Sequence, residues 1–382
     1  MERRTLFQLA TAAAVLRRSV AAQQAPQTQA QAQERPAPPQ RRMGFGGHPE
    51  SFPAGEQRAT VAIAQGNERR KNVYNALKAI DKDLQAKMKS KKYAVIKPNF
   101  VNTQNQLAAS HADSMRGILD YLGERFKGPV VIAESSAGST NTAYDNFKYA
   151  ALTSEYRKQQ LKLIDLNDEA KFERIALLDA DLHIVPCRIS ARLVDPEAFV
   201  ISAAMLKTHN TVIASLGIKN MVLGAPLHQA NGETPRWNEK RKYHVGLRQT
   251  HYNMMVTAQR LNWGATLIDG YEGMEGNGPN SGTPVPSRIA LASADFVAAD
   301  RVAAETMGVN PEWLGYVKYC GAIGLGQFDP SKIDVIGANV ADVKKPYRMH
   351  PDIDRELQWQ GPMTELPFNL GWTRPMGADK LA

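Results

Sequence analysis

The chain has 382 residues, 43% hydrophobic and 22% charged, a globular composition with enough apolar side chain for a large core. Its formal net charge of +9 divides into +4 over residues 1–59, where eight Arg stand against four Glu, and +5 over the remainder. That balance is too mild, and too free of basic stripes, to argue for a nucleic-acid partner. Two cysteines, Cys187 and Cys320, can form one disulfide in an oxidising compartment but cannot ligate an iron–sulfur cluster or a four-cysteine zinc site.

Arg3-Arg4, a weakly apolar run over 6–16 and the small residues Ser19-Val20-Ala21-Ala22 read as a signal peptide over 1–22, of the type taken up by the twin-arginine export machinery. The run is too short to cross a bilayer, and no other stretch approaches the required length. A periplasmic or secreted protein with no stable membrane span after cleavage is expected. Residues 23–59 are mostly Gln, Ala, Pro, Gly and Arg, a composition that cannot bury a core and reads as a disordered linker.

From residue 60 strands and helices alternate. The pattern predicts strands over 60–64, 93–96, 130–133 and 163–166. Between them it predicts helices over 71–88, 110–126 and 143–151. Ser110 is the expected N-cap of the second helix, with Met115, Ile118, Leu119 and Leu122 on one face. Shorter alternating stretches between 172 and 194, with Pro186, suggest a β insertion. An apolar run over 199–206 is an expected buried strand, followed by an apolar helix up to Leu223 with Asn210 as its cap. A polar loop over 226–247, a helix over 250–261 and a strand over 265–268 come next. A strand over 289–291, a helix over 295–307, another opened by Pro311 and a strand over 333–336 complete the pattern. The expected class is therefore α/β: a mainly parallel sheet with helices on both faces. One domain over 60–340 would carry the small β insertion, with 341–382 an extended C-terminal tail.

Five expected strands end in polar residues: Lys97 and Asn99; Glu134 and Ser135; Lys207 and His209; Asp269; and Ser293 with Asp295. In a parallel sheet these ends share one edge, where ligands of open α/β folds sit. Turn chemistry explains any one of them, while five together suggest a cleft. Lys97, Lys207 and Lys219 are candidate holders of a small anionic ligand, with Asn99, Asn220 and His244 as further contacts. His209 is the candidate proton carrier, because its ordinary pKa lies nearest neutrality, with Glu134 and Asp269 as acid/base partners. The Gly-rich segment 269–282 places Asp269, Glu272 and Glu275 near Gly276 and Gly278. These carboxylates suit a divalent metal or acid/base work, and the glycines allow close backbone approach to a ligand; a solvated surface loop is the plain alternative. Lys207, His209 and Lys219 are expected to form one cationic wall facing the 269–275 carboxylates. His251, seven residues after His244, is expected to be a solvated or core-satisfied histidine without a role in the site.

Four blocks together resemble the DUF362 family: Lys97-Pro98-Asn99; Lys207-Thr208-His209 with Gly217-Ile218-Lys219-Asn220; Asp269-Gly270 through Gly276-Asn277-Gly278-Pro279; and Ser293-Ala294-Asp295 with Ala299-Asp300. The resemblance implies no settled activity. Some members of the family bear an iron–sulfur module, which two cysteines cannot hold here. The cofactor is left unknown, with a divalent metal possible. Two functions stay open: a metal- or cofactor-dependent enzyme of unassigned reaction class, and a non-catalytic periplasmic binding protein.

Overall fold

The computed structural model describes residues 55–230 and 233–361. The expected signal peptide, the linker up to residue 54 and the tail over 362–382 lie outside the described residues. The linker's last residues are held in place: Gln327 Nε2 donates to the carbonyls of Gly55 and Gln57, at 2.8 and 2.7 Å.

The strands, in chain order, are β1 (Ala59–Gln65), β2 (Tyr93–Lys97), β3 (Val130–Glu134), β4 (Lys162–Asp165), β5 (Phe172–Leu178), β6 (Ile184–Ser190), β7 (Ala198–His209), β8 (Ile213–Ser215), β9 (Ala265–Glu275), β10 (Thr283–Val285), β11 (Ile289–Ser293) and β12 (Ile333–Gly337). The helices are α1 (Arg69–Ala79), α2 (Asp81–Met88), α3 (Ala112–Arg125), α4 (Thr140–Asn146), α5 (Ala150–Glu155), α6 (Gly217–Gly224), α7 (Leu247–Ala258), α8 (Phe296–Thr306), α9 (Gly315–Ala322), α10 (Val340–Val343) and α11 (Ile353–Glu356). One mixed sheet runs β12-β1-β11-β9-β7-β2-β3-β4, with β10 beside β9 and β8 beside β7; β5 and β6 form the separate expected hairpin.

The centre of this sheet is β7, parallel to both β2 and β9 and buried at all twelve positions. A strand covered on both faces needs apolar residues of either parity, which explains its unbroken run. Phe199, Ile201 and Ala203 point to the core under α1–α5; Ala198, Val200, Ala204 and Leu206 point to the core under α6–α9. The helices thus cover both faces, as expected for this class.

Several boundaries differ from the pattern. The cap of α3 is His111, whose Nδ1 accepts from Asp113 N at 3.1 Å, whereas Ser110 donates to Ala203 O at 2.7 Å and ties that loop to β7. Lys148, at φ 61°, separates α4 from α5. The apolar segment after Asn210 is a tight hairpin into β8 followed by a short helix, so Lys219 stands in the first turn of α6 and not near its C-terminus. The segment 269–275, expected as a loop, continues β9 alongside a bulge between Met205 and Lys207.

After β12 and α10 the chain has no regular secondary structure over 344–350 and then turns helical. It straps the site edge of the sheet. Glu356 Oε2 accepts from Ile213 N at 2.6 Å, and Ile213 holds φ 71°, a left-handed conformation costly for a β-branched residue, by about 1–3 kcal/mol.

Candidate functional site

Because β2, β3, β7 and β9 are mutually parallel, their carboxyl ends share one edge. The fifth strand does not join them. β11 is antiparallel to both β1 and β9, so Asp295 emerges at the opposite edge. There it caps α8, accepting from Val297 N and Ala298 N at 2.9 Å each. Alternation of strands and helices does not encode this reversal.

At the shared edge lies a cleft of about 760 Å³ lined by, among others, Lys97, Asn99, Glu134, His209, Lys219, Asn220 and His244. Its floor is a buried polar network. Lys97 Nζ donates to Glu134 Oε2 and Asn220 Oδ1, both at 2.8 Å, and to Pro98 O at 2.7 Å. Glu134 also accepts from Phe100 N and Ser135 N, while Asn220 Nδ2 donates to Lys97 O and Ser202 Oγ. Burial alone would drive the Lys97 ammonium toward neutrality; the adjacent Glu134 carboxylate opposes this. The pair cancels in charge and fixes the geometry of everything above it.

Lys207 donates to Asn99 Oδ1 at 2.5 Å and to Ala108 O at 2.9 Å. It therefore supports Asn99 from behind and does not line the cleft. Burial, then the charges of Lys219 and Lys97, push its pKa well below the ordinary lysine value. His209 does line the cleft. Its Nδ1 accepts from Thr211 N at 3.0 Å, which leaves the proton of the neutral ring on Nε2. Burial, and then Lys219, hold its pKa well below the ordinary imidazole value, which favours the neutral ring with its Nε2–H as a hydrogen-bond donor.

Lys219 differs from the other lysines of the cleft. Its side chain is 8% exposed, and its ammonium makes no hydrogen bond or ion pair with a described residue. Burial, then Lys97, lower its pKa to about 8. The helix carrying it is anchored by Asp300 of α8, whose Oδ1 and Oδ2 accept from Gly217 N and Ile218 N at 2.7 and 2.9 Å. A carboxylate at a helix N-terminus satisfies otherwise orphaned amides. Asp300 thus gives the fourth of the resembling blocks a structural part.

The 269–275 carboxylates, expected to face a cationic wall of Lys207, His209 and Lys219, do not line the cleft. Residues of one parity along β9 face one side of the sheet; Asp269 shares the side of Ala265 and Leu267, toward α1 and α3. It is hydrogen-bonded by Ser114 Oγ and paired with Arg69 at 3.1 Å. Glu272 is exposed, and Glu275 accepts from Arg348 N at 2.9 Å. These three carboxylates do not come together as a metal-ligand set among the described residues. Gly276, at φ 72°, turns the chain beside Arg348, and Gly278 packs on the Thr208 backbone; only the following Pro279 and Asn280 reach the cleft.

Sequence reasoning passed over Lys240 and Arg241, which line the cleft from the segment read as a polar loop. Lys240 Nζ donates to Leu223 O and Pro226 O at 2.8 Å each, and burial lowers its pKa to about 7. A run of Glu239-Lys240-Arg241-Lys242 looks like a solvated face, and nothing in it singles out the lysine that folds inward. His244 stands at the rim, before α7 begins, and so does not share a helical face with His251. His251 is a core residue, with Nδ1 accepting from Tyr316 N at 3.1 Å and its ring stacked on Tyr316. Cys187 and Cys320 are free buried thiols, with pKa values raised by desolvation.

A family model described as a domain of unknown function, DUF362, matches residues 94–305. No curated protein matches the chain. A crystal structure of a structural-genomics target from Thermotoga maritima is similar at 10% identity and a TM-score of 0.35, over 76% of this chain and 94% of that one.

Proposed function

The chain belongs to the DUF362 family, a domain of unknown function, and from the chemistry of its own cleft we propose that it binds a small anionic ligand there. The observation that carries this is Lys219, a largely buried residue whose ammonium opens onto the cleft with no anion among the described residues beside it. A partly desolvated ammonium without a counter-charge gains from an anion, and a carboxylate or phosphate from solution supplies the missing charge. The surroundings support the same sign. Lys97 and Glu134 cancel, which leaves Lys219, Lys240 and Arg241 facing the cleft, with the His209 Nε2–H as a neutral donor.

Lys219→Met tests this. Calorimetric titration with phosphate, oxalate and pyruvate is expected to detect binding of at least one to the native protein. The variant is expected to lose about 100-fold in affinity, the scale of truncating one partner of a buried charge pair. Its near-ultraviolet circular dichroism should be unchanged. The pH dependence has a defined sign. Binding favours the ammonium, so affinity holds below the free-state pKa of about 8 and declines above it, with proton uptake on binding near that pH. Equal affinity in the variant, or no binding of any probe to the native protein, overturns the proposal.

We further propose that the chain is exported by the twin-arginine route, on the strength of Arg3-Arg4 and the short apolar run behind them. Replacing both arginines with Lys keeps the charge and removes the motif. A tagged full-length chain is then expected to be retained in the cytoplasm on fractionation. Unchanged periplasmic yield refutes the route.

A further inference from the structure

We propose that Lys219 is an amine nucleophile that condenses with a carbonyl group lying next to the ligand's carboxylate, so that the cleft takes a 2-oxo acid as an imine. This rests on the anion-binding reading above and gives the ligand a chemical class.

Four lysines surround the site, and three are committed. Lys97 donates to three acceptors, Lys207 to two and Lys240 to two. Lys219 alone among them has no described acceptor, so its nitrogen is free to present a lone pair to the cleft once deprotonated. Its placement favours the deprotonated form in three separate ways. It is nine-tenths buried, the ammonium of Lys97 lowers its pKa even though that lysine is paired with Glu134, and it stands in the first turn of α6, where the helix dipole disfavours positive charge. Desolvation beside a second cation is a recognised route to a nucleophilic lysine. The free-state pKa of about 8 agrees with this geometry.

The ligand class follows from charge. An iminium at Lys219 carries the same positive charge as the ammonium it replaces, in a cleft already rich in cations. A carboxylate one bond from the reacting carbon brings the counter-charge to the place where it is lacking. The step balances without a redox partner. The amine attacks the carbonyl carbon, the oxygen leaves as water after taking up protons, and a carbon–nitrogen double bond replaces the carbon–oxygen one. His209, lining the same cleft with its proton on Nε2, is the neutral group available to hydrogen-bond the carbonyl oxygen.

The test is reductive trapping of the full chain with pyruvate and sodium cyanoborohydride, followed by peptide mapping. Lys219 is expected to be labelled at least about tenfold faster than an exposed lysine such as Lys158. Its labelling rate should reach half its maximum near pH 8, whereas an exposed lysine continues to gain to about pH 10. Lactate, which has the carboxylate but no carbonyl, should compete with pyruvate for the cleft and slow the labelling of Lys219 but not of Lys158. Calorimetric binding of both acids without preferential labelling of Lys219 overturns the imine and leaves the anion reading standing. If pyruvate, lactate and phosphate all fail to bind, both inferences fall.

Discussion

Lys97→Met is expected to destabilise the protein by about 3–5 kcal/mol, among the largest effects any single side chain here can produce. The reason is what it leaves behind. Glu134 is 2% exposed, and without Lys97 its carboxylate keeps only the amides of Phe100 and Ser135. Asn220 loses the nearer of the two donors to its Oδ1 and keeps only Asn99 Nδ2 at 3.3 Å, and Asn220 in turn orients α6 against β2 and Ser202. Removing one member of a buried network strands the others, so the loss exceeds the worth of the pair itself. Adding Glu134→Gln to Lys97→Met should restore part of the loss, because a neutral amide needs no counter-charge. Urea denaturation of the two singles and the double forms a cycle. A coupling energy near zero refutes the account of Lys97 and Glu134 as one unit.

Gly278→Ala is expected to cost about 2–3 kcal/mol and to weaken ligand binding as well. A Cβ at Gly278 would run into the Thr208 carbonyl oxygen, and would lie 2.6 Å from its carbonyl carbon and 2.8 Å from its Oγ1. The Thr208 backbone has little room to yield, because Thr208 belongs to the central strand. The turn would move, and with it Pro279 and Asn280 on the cleft wall. Gly276→Ala serves as the comparison. There the nearest atom is Nη2 of Arg348 at 2.9 Å, an exposed and flexible side chain, so the cost reduces to the left-handed φ of 72°, about 1–2 kcal/mol. Thermal melts of the two variants should rank Gly278→Ala as the more damaging. The opposite order would return Gly276 to the close-approach role expected for it from composition.

Where a residue's surroundings are local, its sequence context was informative. The unbroken apolar run of β7 announced a buried strand, and the polar residues after β2, β3 and β7 marked the edge where the cleft lies. What escaped depends on distant partners. Asp269 follows an apolar strand just as Glu134 does, yet it serves the other face of the sheet, because Arg69 waits there 200 positions earlier in the chain. Strand direction is equally silent. Nothing in Ile289–Ser293 distinguishes an antiparallel strand from a parallel one, so Asp295 was placed on the wrong edge. Lys240 was hidden by its own neighbours, a charged run that normally means solvent. Lys219 stands out as a lone charge in an apolar segment and does line the cleft, although its helix begins only two residues before it.

The bond from Ile213 N to Glu356 has a consequence for the timing of biosynthesis. The two residues are 143 positions apart, so a ribosome adding about 5–20 residues per second releases the β7–β8 turn on the order of ten seconds before the residue that clamps it. During that interval the nascent chain can lay down β2, β3 and β7, while Ile213 has nothing to hold it in its unfavourable backbone geometry. The wall of the cleft that carries His209 is therefore completed among the last events of synthesis. A translation product that stops short of residue 356 lacks the carboxylate that clamps this turn.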